Sequence, residues 1–236
     1  MKKGVSVFAL LARNTIYRIL AVFVVMGTVE IFSFWKKMQE SLHSEGSFEQ
    51  VIERSNQFGW YTIAFLTISL ILGISTCNFG SMQGYTIKRL RMSEWKIFWI
   101  QSSYNLMCYI LLMGVQLGLF LGMGQLYAAF HADVTSQTLF LAFYRHDFMH
   151  SILPMEEWAR WGLNLLMYGG MGIAIASVPY FQRKRKFGWE AVVVAGILAV
   201  GFENELGSPV PYCLTVTILG LAILAASRVY LLVTEN

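Results

Sequence analysis

The chain has 236 residues, of which 56% are hydrophobic and only 14% charged, where soluble domains run at roughly 45–50% and about 25%. So few polar residues cannot cover a soluble particle of this size, and the surplus apolar surface has to face lipid. The net charge of +4 then reads as membrane-flanking base rather than a nucleic-acid footprint, and no nucleic-acid partner is expected.

An apolar run of about 20 residues crosses the hydrocarbon core as a helix. On that measure residues 1–236 form a single transmembrane domain: an all-α, polytopic integral membrane protein with six transmembrane helices. Residues 1–14 read as an interfacial helix, with Val5, Val7, Phe8, Leu10 and Leu11 beside Lys2, Lys3 and Arg13. They do not read as a cleaved signal, because Arg13 and Asn14 stand where small residues would be required. Span one runs from about Ile16 to Phe34, and the acidic stretch from about Met38 to Gln57 reads as an exposed helical hairpin element or loop. Span two is about Gly59 to Phe79, and the basic segment 81–96 returns the chain. Span three, about Ile97 to Phe130, is longer than a bilayer requires. Its first turns carry Gln101, Ser102, Ser103 and Asn105, so that end is expected to lie in protein or water.

Residues 131–158 form an external segment whose patch Leu139 to Tyr144 suits the outer membrane surface. Span four is about Trp161 to Phe181 and ends at Arg183-Lys-Arg-Lys186. Span five, about Trp189 to Phe202, is short, and the turn after it holds Gly207, Pro209 and Pro211 before span six, about Tyr212 to Val233. A short span beside such a turn suggests a helix that enters, breaks and exits among protein neighbours. Cys77, Cys108 and Cys213 lie in or beside apolar spans and read as small buried hydrophobes.

Charge orients the spans. On this topology 13 of the 18 Lys and Arg residues, from Lys2 to Arg228, share one side, and 11 of the 14 acids lie on the other. Lys and Arg resist translocation, so the N and C termini are cytoplasmic and the protein is a multi-pass protein of the cell membrane, with the lipid bilayer as its first partner.

The segment Ser81 to Lys96 is the most informative cytoplasmic stretch. Gly84 permits a turn, Tyr85, Ile87 and Leu90 offer an apolar face, and Lys88, Arg89 and Arg91 surround it. Ser93 is a natural N-cap for span three. Two readings stand: a topogenic basic loop, or a docking helix whose apolar residues enter a partner's groove.

With its N-terminal helix, the loop Lys-Arg-Leu-Arg-Met-Ser-Glu-Trp-Lys, the external segment before span four and a broken element before the last span, the chain resembles the permease subunits of ABC-2 type ABC transporters. The likeness is to the small six-span permeases of Gram-positive bacteria. It implies that 81–96 is a cytoplasmic coupling segment, with Gly84, Tyr85, Ile87, Lys88, Arg89, Leu90, Arg91 and Ser93 meeting an ABC ATPase subunit. It also implies a second permease subunit, as homo- or heterodimer, and an exported peptide, lipid or other amphipathic cargo. The chain has no GxxxxGK[ST] phosphate loop, so ATP and Mg belong to the partner subunit. No enzymatic activity and no cofactor are expected in this chain.

Gly114, Gly118 and Gly122 in span three repeat at four-residue spacing, and such faces let another backbone approach closely. They suit tight packing within the subunit, or else a subunit interface, with Gly169, Gly170 and Gly172 of span four as a matching surface; Gln116 can add an interhelical hydrogen bond. His146 and His150 stand at metal-ligand spacing on a helix, with Asp147 where zinc proteases place a glutamate. That pattern makes an intramembrane metalloenzyme one alternative, but a third ligand is poorly placed. The favoured reading is an external helix that orients the start of span four. A non-transporting membrane scaffold or immunity protein is the other alternative. Glu30 and Glu190, near opposite membrane faces, are expected to snorkel or to find a partner, and Glu203 and Glu205 can line an exit for cationic cargo.

Overall fold

The computed structural model describes residues 2–41, 47–77, 92–130, 136–154, 158–201 and 209–234. Among them every regular element is a helix. In chain order these are α1 (Lys2–Ser41), α2 (Phe48–Arg54), α3 (Gln57–Ser75), α4 (Glu94–Phe130), α5 (Ser136–Arg145), α6 (Asp147–Ile152), α7 (Trp158–Arg183), α8 (Trp189–Gly201) and α9 (Val210–Thr234).

α1 is one helix. Its sequence holds no proline, and its glycines are Gly4 and Gly27, so nothing in it forces a stop. It runs parallel to α4 along its length. Phe8 meets Tyr104 edge-on at 5.2 Å, and Trp35 meets Phe130 at 5.4 Å. Gly4 faces Ile100 and Gly27 faces Leu119. The boundary expected near residue 14 is therefore absent. Val7 and Leu11 belong to the same buried core as Tyr104 and Cys108, and that packing carries the helix through Asn14 and Thr15. In the polar stretch after span one the helical alternative holds among the described residues, but it is not simply exposed: α1 continues to Ser41, and α2 buries Phe48, Val51 and Ile52. The chain then reverses at Asn56, whose φ of 51° is a left-handed conformation that Asn tolerates.

Five helices are long and apolar enough to cross a membrane: α3, α4, α7, α9 and α1 from Gly4. The 13 residues of α8 rise about 20 Å, against a hydrocarbon core of about 30 Å. Among the described residues, then, five helices suit a full crossing, and α8 stands where the short fifth span was expected. α4 and α7 pack against each other at the centre, α1 and α3 flank α4, and α8 and α9 flank α7.

The outer surface is what lipid requires. Val24, Phe32, Leu70, Met107, Leu166, Val216 and Ile223 are all exposed large hydrophobics on the helix sides, a surface too apolar for water. Aromatic residues mark both ends: Trp99, Phe187, Trp189 and Tyr230 at one, Trp158 and Tyr212 at the other, as expected at membrane–water boundaries. Exposed Lys96, Lys184, Arg185 and Lys186 share the first end, and exposed Glu40 and Glu53 the second. The segment expected to be external is not simply laid on a surface. α6 buries Phe148, Met149 and Ile152, with Phe148 packed on Phe58, Tyr61 and Phe120. In α5, Ala142 and Phe143 turn inward while Phe140 and Leu141 stay exposed.

Candidate functional site

Of the residues expected to couple to a partner, Gly84, Tyr85, Ile87, Lys88, Arg89, Leu90 and Arg91 lie outside the described residues. Both flanks of the segment are held. Ser93 is exposed, and its carbonyl accepts the first amide bonds of α4, from Lys96 at 3.0 Å and Ile97 at 3.2 Å. Glu94 is gripped by α7: Arg183 donates to its carboxylate at 3.3 Å and the Tyr180 hydroxyl donates to its carbonyl at 3.1 Å. Arg183 also lies 5.0 Å over the Tyr180 ring, a cation–π contact. On the other flank Thr76 Oγ1 accepts from Gln101 Nε2 at 3.0 Å, tying the end of α3 to the start of α4.

From Glu94 a polar column climbs the buried face of α4. One turn above Gln101, Asn105 donates to the Gly172 carbonyl of α7 at 3.1 Å. Next, the Tyr109 and Ser69 hydroxyls are 2.8 Å apart, and Tyr109 stacks on Tyr168 at 6.1 Å. The Tyr168 hydroxyl in turn pairs with that of Tyr61. At the top, Gln116 donates to Glu30 of α1 at 2.9 Å. From Glu94 to Gln116 the column covers 23 residues of helix, a rise of about 33 Å. Each bond joins different helices, which is how polar side chains hold a bundle in lipid, where apolar burial does not favour helix over lipid tail.

Several sequence expectations resolve here. Gln101 and Asn105 lie in protein, and Gln116 makes its interhelical bond. Glu30 does not snorkel, for it is 0% exposed and held by Gln116. Glu190, also buried, is paired with Arg228 of α9, whose guanidinium lies 4.5 Å over the Phe181 ring. The tyrosines of the column were not singled out in advance. Their signal is a phenolic hydroxyl within an apolar span, which has to find a partner when buried. Cys77 and Cys108 are buried as expected, but Cys213 is exposed.

The glycines divide differently from the expectation of tight packing within the subunit. A Cβ added at Gly114, Gly118 or Gly122 would meet nothing within 4 Å, and the same holds for Gly169. The close approaches are at Gly172, where a Cβ would stand 3.0 Å from the Ser102 carbonyl oxygen, and at Gly170, where it would strike Ile218 at 2.5 Å. The α4 glycines point away from α7 because the face carrying Ser102, Asn105 and Tyr109 is turned toward it.

His146 and His150 do not stand one above the other on a helix face. His146 precedes α6 in extended backbone as its N-cap, and its Nδ1 accepts from the Met149 amide at a long 3.5 Å. Burial pushes its pKa below the ordinary value, opposed by the carboxylates of Asp147 and Glu53. His150 is buried, with its ring 5.4 Å from that of Tyr144. Among the described residues no group of three His, Cys, Asp or Glu side chains gathers at metal-binding range. The segment is tied to the start of α7: Asn164 donates to the Ser151 carbonyl at 2.8 Å, and Trp161 to that of Pro154 at 2.9 Å.

The class defined by these features is an all-helical protein with, among the described residues, five helices suited to crossing a membrane and a polar interior between them. No family model matches the chain, no curated protein matches it, and no solved structure matches it.

Proposed function

We propose that this chain is the membrane-spanning permease subunit of an ABC exporter in the cell membrane. It moves a peptide, lipid or other amphipathic compound, using ATP hydrolysed with Mg on a separate ABC ATPase subunit. The observation that carries the proposal is the basic segment 81–96 joined at its end to α4. Through Glu94, Gln101 and Asn105 that helix is bonded to α3 and α7 within its first turns. A push or pull on Gly84 to Ser93 therefore has a mechanical route into the bundle. To drive transport, the ATPase must hold this segment differently in its ATP-bound and ATP-free states; attachment alone shifts no equilibrium.

The open face of α4 supports the second part of the proposal, a partner permease subunit. Gly114, Gly118 and Gly122 are exposed on that face, and they allow a second backbone to approach closely.

The deciding experiment is charge reversal, Arg89→Glu with Arg91→Glu, in the native host. The variant is expected to insert into the membrane normally but to lose co-purification of an ATPase subunit. Unchanged association would remove the docking role, and a wild-type protein that brings down no ATPase would remove the transport proposal.

A further inference from the structure

Glu30 presents the sharpest conflict between burial and chemistry in the molecule. Its Oε2 accepts from Gln116 Nε2 at 2.9 Å. Its Oε1 is buried with no hydrogen-bond partner, and so is Oε1 of Gln116 itself. Gln57, at the start of α3, has no donor to spare. Its amide nitrogen gives its two N–H groups to the Glu30 carbonyl at 3.3 Å and to Ser55 Oγ at 2.9 Å. The helices packed on α1 are α2, α3 and α4. Their charged and titratable groups at this end are Glu49, half-buried, Glu53 and Arg54, both exposed, Tyr61, whose hydroxyl is engaged by Tyr168, and Tyr127. On α1 itself, Lys36 is exposed and Lys37 is held by Glu40 at 2.8 Å. Among the described residues Glu30 makes no ion pair.

An ionised carboxylate and an amide oxygen both only accept hydrogen bonds. With Glu30 charged, the site holds a buried anion on one hydrogen bond, its Oε1 and that of Gln116 both lacking donors, as does the nearby Oε1 of Gln57, an arrangement costly in any buried site. One proton resolves the conflict between Glu30 and Gln116. A protonated Oε1 becomes a donor, and the oxygen of the amide already bonded to Oε2 is the acceptor it needs. Acid and amide then close a ring of two opposed hydrogen bonds, Nε2–H to Oε2 and Oε1–H to Gln116 Oε1, and neither oxygen is left unsatisfied. We propose that Glu30 is a proton-binding site, occupied at neutral pH, whose acid–amide pair with Gln116 fastens α1 to α4. Loss of that proton restores the poorly solvated anion and favours parting of the two helices. This inference does not depend on the transport proposal.

Infrared spectroscopy of the purified full-length protein tests it. The wild type minus Glu30→Gln difference at neutral pH is expected to show the C=O stretch of a hydrogen-bonded carboxylic acid, shifted in D2O. In Gln116→Leu that band is expected to move to higher frequency, because its ring is broken. Carboxylate bands in the wild-type difference would overturn the proposal, as would a band left unmoved by Gln116→Leu. An acid band that vanishes on adding sodium would assign the free oxygens to a metal cation instead. If Glu30→Gln does not fold, the wild type and Gln116→Leu compared through a pH titration still decide, since a band that titrates away below neutral pH also sinks the idea.

Discussion

His146 closes the first turn of α6 with an imidazole nitrogen, where hydroxyls and carboxylates are the usual caps. Only the neutral ring can accept that bond, and burial lowers the His146 pKa below its ordinary 6.5. The unfolded chain therefore takes up this proton more readily than the folded one. The stabilisation is fully present above about pH 6.5 and is lost as pH falls through the folded value. Thermal melts in detergent are expected to show that acid loss in the wild type and a flatter profile in His146→Gln. His146→Ala is expected to be weaker by about 0.5–1 kcal/mol near neutral pH, the low end for a lost cap, because the bond is long. The Glu190–Arg228 pair is a larger lever. Arg228→Met leaves the Glu190 carboxylate buried and uncompensated, with an expected loss of about 3–5 kcal/mol, most of it recovered by adding Glu190→Gln. Unfolding of the single and double variants, compared as a cycle, checks this. Residue chemistry was legible in the sequence only as candidacy. Glu30 and Glu190 stood out as ionisable groups in apolar runs, yet nothing near either in sequence names Gln116 or Arg228 as its partner.

At the level of the helices, contact between α4 and α7 is set by small residues on one and polar residues on the other. Gly172→Ala places a methyl 3.0 Å from the Ser102 oxygen and 3.2 Å from the Leu106 nitrogen. Both are backbone atoms that cannot rotate away, so a loss of about 1–3 kcal/mol is expected in a melt. Gly118→Ala meets no atom within 4 Å and gains helix propensity, so the same measurement is expected to show no loss. Gly118→Leu is expected to leave the single subunit folded while reducing subunit cross-linking along α4; unchanged cross-linking would move the proposed interface elsewhere. The repeat of Gly114, Gly118 and Gly122 was visible in the sequence, but whether it faced inward was not. Periodicity shows that residues share a helix face and leaves open which neighbour covers it. The unbroken α1 has the same lesson. The Arg13–Asn14 stretch looks like a boundary in isolation, and only α4 lying alongside makes it helix interior.

For the molecule as a whole, separation of charge between the two ends predicts sidedness. In a cysteine-free background, cysteines introduced at Lys184 and at Glu49 are expected to react with a membrane-impermeant reagent from opposite sides, Glu49→Cys from outside intact cells. The sequence by itself determined that this is an all-helical chain for a bilayer, where the long apolar runs lie and which ends carry the base. These properties follow from the energy of moving each segment between water and lipid, which depends on local composition. Tertiary structure alone decided that the α4 glycines stay open while Gly170 and Gly172 are closed over, and that Glu30 is sealed against Gln116. Each of those depends on which helix lies beside which. In lipid, that choice is made by shape and hydrogen bonding between residues far apart in the chain, and no local pattern contains it.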